Sequence, residues 1–382
     1  MSDTRLHAGQ IQVGNPLPFD TFDEDGKLLL RKGFVISDPE QLGRLLQRGL
    51  FHEAVPEHAK PAAVPGLPAH TTRHFSVMGL LARIQEQLGQ LLAEDAPTDF
   101  PARVESLADQ LRRAYSLDSD AAIASIQMCH TGRYSTRRLV HGAILAELLQ
   151  RESGADESQR HSPMCAALTM NITVLDLQDL LYAQASRPTG QQMEQVMAQP
   201  ETGARRLVEL GVTDANWLSI VAQHHETIDG MGYPEALRGS EIGHAAQVLS
   251  IADRYCAMAT GRAYRPAALP NTVLRQVFMD KGKNVDAGLA GLLVKSVGLY
   301  PPGSLVGLAN GDIAVVVKRT KSANHPVVRC VKTNRNEILE QPRKRLTSEP
   351  AYAITRMLPM ADLGFEVDPT LLWDEGFEVD FA

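Results

Sequence analysis

The sequence predicts a mainly α protein: a central helical bundle, a small α+β module ahead of it and a β-hairpin behind it. Three observations carry that prediction. Apolar residues recur at helical spacing through most of residues 77–252. A stretch at 54–72 holds four prolines among Ala and Gly and reads as a semi-extended linker. Beyond Gly303 the pattern changes to β-branched runs separated by turn residues.

Taken in order, Pro18-Phe19-Asp20-Thr21-Phe22 reads as a strand and Asp23-Glu24-Asp25-Gly26 as a turn. Leu28-Leu29-Leu30 is the return strand. Asp38-Pro39 opens a short helix striped by Leu42, Leu45 and Leu46 and ended by Gly49. After the linker, Val77, Leu80, Leu81, Ile84, Leu88, Leu91 and Leu92 mark one helix. Val104, Leu107, Ala108 and Leu111 mark a second, opened by Asp99-Phe100-Pro101. Leu139, Ala143, Ile144, Ala146 and Leu148 predict another, and helical character continues over 164–181. Further helices are expected over 203–211, over 214–227 with Asp214 as N-cap, and over 240–261. Residues 312–317 and 326–331 are β-branched runs that form the hairpin.

The chain as a whole bounds the class. Its 382 residues, 44% hydrophobic and 22% charged, suit a soluble globular protein of two or three domains. No apolar run approaches the roughly 20 residues that span a bilayer, and MSDTRLHAGQ lacks the apolar core of a secretory signal. Cys129, Cys165, Cys256 and Cys330 form no CxxC pair, which argues against a zinc knuckle and suits a reducing, cytoplasmic setting. Formal charge is −7, and the seven acids from Asp362 to Asp380 account for all of it. The remainder is neutral, with no face suited to nucleic acid. The basic stretch at 318–345 reads as the solvated side of a small β-region. The repeated GFEVD at 364–368 and 376–380 reads as a flexible acidic segment or docking peptide.

The most distinctive segment is His224-His225-Glu226-Thr227-Ile228-Asp229-Gly230-Met231-Gly232-Tyr233-Pro234, with Asp253 on the following helix. Two imidazoles and a carboxylate are a ligand set for a first-row metal. On a helix, neighbouring side chains point roughly 100° apart, so His224 and His225 suit two metals, or one ligand and one supporting residue. A carboxylate buried at position 253 needs a metal or a cation beside it.

This segment, with Ile242, Ile251-Ala252-Asp253-Arg254-Tyr255 and Gly298-Leu299-Tyr300-Pro301-Pro302-Gly303, closely resembles the HD-GYP family. Those are helical, metal-dependent phosphodiesterases that hydrolyse the bacterial second messenger cyclic di-GMP. The resemblance implies an HD-type bundle over 120–345, preceded by a regulatory module (1–55), a linker (56–72) and connecting helices (73–119), and followed by an acidic tail (346–382). The N-terminal module also resembles one often placed ahead of such domains.

Carried over position by position, the family pattern is only partly present. His224, His225 and Asp253 match metal ligands. The family's His-Asp pair falls on Met170 and Asn171, a nearby lysine on Val174, a further His on Gln199 and the earliest ligand near Arg138. No His-Asp dipeptide occurs anywhere in the chain. A thioether and carboxamides are poor ligands for hard iron or manganese. The resemblance therefore implies either no metal or a single weakly held Fe, Mn or Zn, and no di-iron site. Asp253 then meets either that metal or the Arg138 guanidinium. His130, His141 and His161 read as ordinary histidines, any one of which is a substitute ligand if the alignment slips, and Cys256 as a core residue. Arg262 and Arg265 match the family's phosphate-contacting cations, and Tyr233 is a candidate to stack on or bond to nucleotide. Asp229, Gly230, Gly232, Tyr233 and Pro234 form the loop that the family uses for docking.

The expected function is a catalytically impaired member of cyclic di-GMP signalling. It senses the dinucleotide or docks partners such as diguanylate cyclase (GGDEF) domains, with a homodimer through the helices at 75–116. Two alternatives stand beside it: an active phosphodiesterase with a non-standard ligand set, and a scaffold that binds neither metal nor nucleotide.

Overall fold

The computed structural model describes residues 74–373, with short strand segments at 3–5, 21–22, 28–30, 51–53 and 377–378. The chain divides into two compact units, 1–71 and 72–382. The first carries β1 (Asp3–Arg5), β2 (Thr21–Phe22), β3 (Leu28–Leu30) and β4 (Phe51–Glu53), paired in the order β1-β4-β2-β3. The expected strand and return strand are β2 and β3, with Thr21 opposite Leu30. The helix expected over 38–49 and the linker at 56–72 lie outside the described residues.

The second unit begins with β5 (His74–Phe75), which pairs with β11 (Phe377–Glu378). Helices α1 (Val77–Leu92) and α2 (Phe100–Leu117) follow as expected. The Ser76 hydroxyl caps α1 by accepting from the Gly79 amide at 3.0 Å. Leu81, Ile84, Leu88 and Leu91 turn inward together, each burial stabilising the fold by about 1.5–3 kcal/mol. Helix α3 (Ser119–Met128) is capped by Asp118, and α4 (Tyr134–Glu152) runs through the middle of the bundle. Because α4 is covered almost all round, its apolar residues do not confine themselves to one stripe.

The region expected to be helical over 164–181 splits into α5 (His161–Thr169) and α6 (Leu175–Ala183), with Met170 and Asn171 in the turn between. Helix α7 (Gly190–Glu209) is far longer than the expected 203–211 and carries Pro200 within it. A Thr189–Gln192 capping box starts it. Helix α8 (Ala215–Gln223) stops before the paired histidines, with Asp214 capping the amides of Asn216 and Trp217 as predicted. Helices α9 (His244–Ala259), α10 (Pro270–Met279) and α11 (Ala287–Val297) complete the bundle. No helix among the described residues is long and apolar enough to cross a membrane.

The expected hairpin is β7 (Ile313–Lys318) with β8 (Val327–Lys332), and it lies inside a larger antiparallel sheet. Strands β6 (Leu305–Leu308), β9 (Ile338–Leu346) and β10 (Ile354–Leu358) extend it in the order β10-β6-β7-β8-β9. Strand β10 lies within the segment expected as an acidic tail. Leu363 and Leu372 beyond it are buried against Leu305, Val315 and Val317. Asp362, Glu366 and Asp368 sit on a segment whose apolar residues pack onto the sheet. Arg319 fastens sheet to bundle: its guanidinium meets Asp120, the Ser119 hydroxyl at 3.0 Å and the Ser296 carbonyl at 2.6 Å.

Candidate functional site

Five helical elements converge on the residues singled out by the sequence. Helix α4 supplies Arg138, the α5–α6 turn Met170 and Asn171, and α7 Gln199. The end of α8 supplies His224 and His225, and α9 supplies Asp253. All except Arg138 and His225 are buried.

Arg138 and Asp253 form a two-point ion pair. The guanidinium Nε donates to Oδ1 at 2.7 Å and Nη2 to Oδ2 at 2.6 Å. The side chains are only 11% and 6% exposed, so solvent screens the pair little. Burial alone pushes the Asp253 carboxyl up, and the Arg138 charge and hydrogen bonds outweigh it and hold the carboxyl at about 2. Burial likewise works against the charge on Arg138, and Asp253 overrides it, so the arginine is held more firmly protonated than usual. Of the two expected fates of Asp253, the contact present is the arginine.

His224 closes α8. Its Nδ1 lies 2.7 Å from the Val221 carbonyl, which places the proton on Nδ1 and leaves Nε2 buried without a partner. The His225 ring lies beside it at 4.1 Å and touches the Tyr233 ring at 4.9 Å. Burial drives both imidazoles toward the neutral form, His225 well below the ordinary value. Among the described residues no group of three His, Cys, Asp or Glu side chains could hold a metal ion, so His224, His225 and Asp253 do not assemble as one.

Arg138, Asn171, Gln199, His225, Arg262 and Tyr134 line one cavity of about 170 Å³, walled otherwise by Gln178 and apolar side chains. The Gln199 amide donates to the Met170 carbonyl, leaving its Oε1 unpartnered, and the buried Asn171 Nδ2 also lacks a partner. Arg262 lies over the rings of Tyr134 and Tyr264, 6.0 Å from each centroid. It bonds the Tyr264 hydroxyl at 3.0 Å, and its Nε has no partner. Tyr134 in turn stacks on Tyr182 at 4.5 Å. Arg265 does not line this cavity, and its guanidinium donates to the Ala257 carbonyl at 2.7 Å. His225 also lines a second cavity, of about 280 Å³, with Tyr233 and Asp253.

The loop after the histidines is built by short-range bonds. Asp229 accepts from the Thr227 hydroxyl at 2.7 Å and the Met231 amide at 3.0 Å, while its own amide donates to the Lys283 carbonyl. A Cβ at Gly232 would lie 2.4 Å from the Thr227 nitrogen, so only glycine fits. Gly230 sits at φ +74°, and the Tyr233–Pro234 peptide is cis. Burial pushes the Tyr233 hydroxyl up to about 12. Met231 at the tip is 81% exposed.

Sequence reasoning gave Glu226 no role, yet its buried carboxylate accepts from the amides of Glu235 at 2.7 Å and Leu237 at 3.1 Å. No spacing signal in the sequence marks that role. His130, His141 and His161 do not line the 170 Å³ cavity. His141 is buried near Arg137, and burial holds it at about 3.

Residues 119–288 match the HD domain family model. The cyclic di-GMP phosphodiesterase PA4108 of Pseudomonas aeruginosa is 25% identical over 218 residues, 57% of this chain and 52% of that protein. The cyclic di-GMP phosphodiesterase PdeB of Borreliella burgdorferi is 21% identical over 221 residues, 58% of each. The chain thus spans about half the length of the curated relatives it matches. The solved structure of Bd1817, an HDG"Y"P protein from Bdellovibrio bacteriovorus, superposes with a TM-score of 0.50 at 14% identity. It covers 76% of this chain and 98% of that one. The fold is mostly helical and of the HD type.

Proposed function

We propose that this chain acts in cyclic di-GMP signalling as an HD-type regulator without hydrolytic activity. The observation that carries the reading is the Arg138–Asp253 pair, which sets a fixed cation where a metal-dependent hydrolase needs a free carboxylate. A bridged metal pair at roughly 3.5–4 Å needs several anionic or imidazole donors. Here Met170, Asn171 and Gln199 offer a thioether and neutral amides. The donors present do not fit such a pair, so no hydrolytic step is assigned.

The residues that remain suit binding. Arg262, the unpartnered Asn171 amide and the Tyr134 hydroxyl are donors turned toward one cavity, and guanidinium forks match phosphate oxygens. Tyr233 and His225 offer ring faces in the adjoining cavity. Cyclic di-GMP is the proposed ligand because the relatives are named for its hydrolysis. The loop at 229–234 is the proposed docking element for a partner such as a diguanylate cyclase (GGDEF) domain, and a homodimer through α1 and α2 is part of the same reading.

One observation favours a second reading. At about 170 Å³ the cavity is below the ~300 Å³ at which small-molecule sites begin, so a whole dinucleotide needs it opened. A docking scaffold makes no such demand.

Elemental analysis of the purified chain, with cyclic di-GMP hydrolysis assayed under added manganese or ferrous iron, tests the proposal. Less than one metal per chain and no linear product are expected. Two metals and turnover overturn it. Isothermal titration with intact cyclic di-GMP then separates sensor from scaffold: Arg262→Ala weakens binding in the first case, and no heat appears in the second.

A further inference from the structure

A second cleft, of about 430 Å³, opens between the α2–α3 junction and the C-terminal sheet, away from the histidines. Val317 and Leu372 of the core line it, together with Trp373. The indole nitrogen of Trp373 donates to the Val317 carbonyl at 3.0 Å, which fixes the ring in place. Lys318, Arg329 and Lys344 face the same space.

The charge arrangement is unfavourable as it stands. Arg329 on β8 and Lys344 on β9 are register partners, directly opposite across two strands. Like charges so placed repel, and sheets normally avoid them. Neither lysine forms an ion pair with a described residue, and the Arg329 guanidinium meets only the Pro342 carbonyl, at 3.4 Å. Of the acids lining the cleft, Asp118 attracts Lys318 and Asp120 is bound to Arg319. Asp118 also accepts from the Ala121 amide. Arg329 and Lys344, forced together by register and without an ion-pair partner among the described residues, call for an anion. The volume lies in the ~300–1,000 Å³ range of small-molecule sites and exceeds what a lone phosphate needs. The fixed, half-exposed indole supplies a surface for a flat ring.

We propose that this cleft binds a nucleoside polyphosphate, its phosphates on Lys318, Arg329 and Lys344 and its base against Trp373. The site is independent of the cavity at Arg138 and does not rest on the function assigned there.

The test uses the full chain and intrinsic fluorescence. The only other tryptophan, Trp217, is buried, so a ligand at the cleft reports through Trp373. Titration with GDP is expected to give saturable quenching, and inorganic pyrophosphate to reverse it. Lys344→Gln should weaken GDP at least several-fold, and Lys344→Glu more. Trp373→Phe should remove the optical signal while a calorimetric signal persists, and Arg262→Ala should leave the quenching unchanged. Asp374 and Glu375 follow the indole directly, and an Asp374→Asn/Glu375→Gln variant separates a ligand from the chain's own acids. GDP binding confined to that variant assigns the cleft to the acidic segment and overturns the proposal. So does quenching that survives Lys344→Glu with Arg329→Gln at full strength, or no saturable binding in either background.

Discussion

Arg138 and Asp253, 115 residues apart in the chain, meet through two parallel hydrogen bonds inside the bundle. The pair links α4 to α9, two helices that pack along much of their length, and it sits between the two cavities of the candidate site. Removing one partner leaves the other as an uncompensated buried charge. Arg138→Met is therefore expected to destabilise the chain by about 3–5 kcal/mol in urea unfolding. Arg138→Met combined with Asp253→Leu should recover most of that. A single-variant loss under about 1 kcal/mol would contradict the burial argument.

The same pair predicts an acid limit. The folded-state Asp253 carboxyl, at about 2, lies below its unfolded value of roughly 3.9. A depressed carboxyl contributes stability that is fully present above about pH 4 and lost as pH falls through about 2. Acid titration of unfolding should show this step in the wild type and lose it in Asp253→Asn.

His141 contributes to the response to milder acid, beside His224 and His225, which burial also holds below their ordinary value. Burial and the neighbouring Arg137 hold His141 near 3, against an unfolded value of roughly 6.5. The unfolded chain binds the proton first, so stability falls as pH drops below 6.5. Between pH 7 and pH 5 the loss from this group is about 2 kcal/mol. His141→Gln should flatten that slope in urea titrations at pH 7, 6 and 5; an unchanged slope would assign it to other groups.

Glu226 is expected to govern the loop rather than the bundle. Each backbone hydrogen bond to its buried carboxylate contributes about 1.5–3 kcal/mol. In Glu226→Gln the amides of Glu235 and Leu237 should lose protection in hydrogen exchange, while those of α4 keep theirs. Uniform loss across the bundle would make the residue a general stabiliser instead.

Met231 tests the docking element. At 81% exposure its replacement by Asp should leave the melting temperature within about 1 °C. Capture of a diguanylate cyclase domain in a binding assay should fall at least tenfold. Undiminished capture would move the interface off the loop.

Much of the fold was legible because its periodicity is local. The inward stripe of α1, the Asp214 cap of α8 and the β7–β8 hairpin all follow from spacing and turn chemistry. Helix α7 was under-read because Pro200 normally ends a helix, whereas here tertiary packing carries the chain through it. Strand β10 pairs with β6 from more than forty residues away, whereas β6 and β9 join β7 and β8 across short turns, and the mixed pattern of β9 gives no clean alternation. In the candidate site, the contact of Asp253 with Arg138 was visible as an alternative, but its two-point geometry needed distances. Glu226 and the Arg329–Lys344 opposition were hidden for a different reason: a carboxylate that organises backbone amides, and a cross-strand register, leave no spacing signature.

The guanidinium at Asp253 has a consequence for how this protein lives with its surroundings. A dissolved metal ion arrives by mass action, can be stripped by a chelator and, if it is iron, changes charge with the redox state of the cell. A cation on a side chain does none of these things. On the proposed reading, the core around Asp253 is complete as soon as the chain folds, and iron starvation, manganese supply or an oxidative burst should leave its stability where it was.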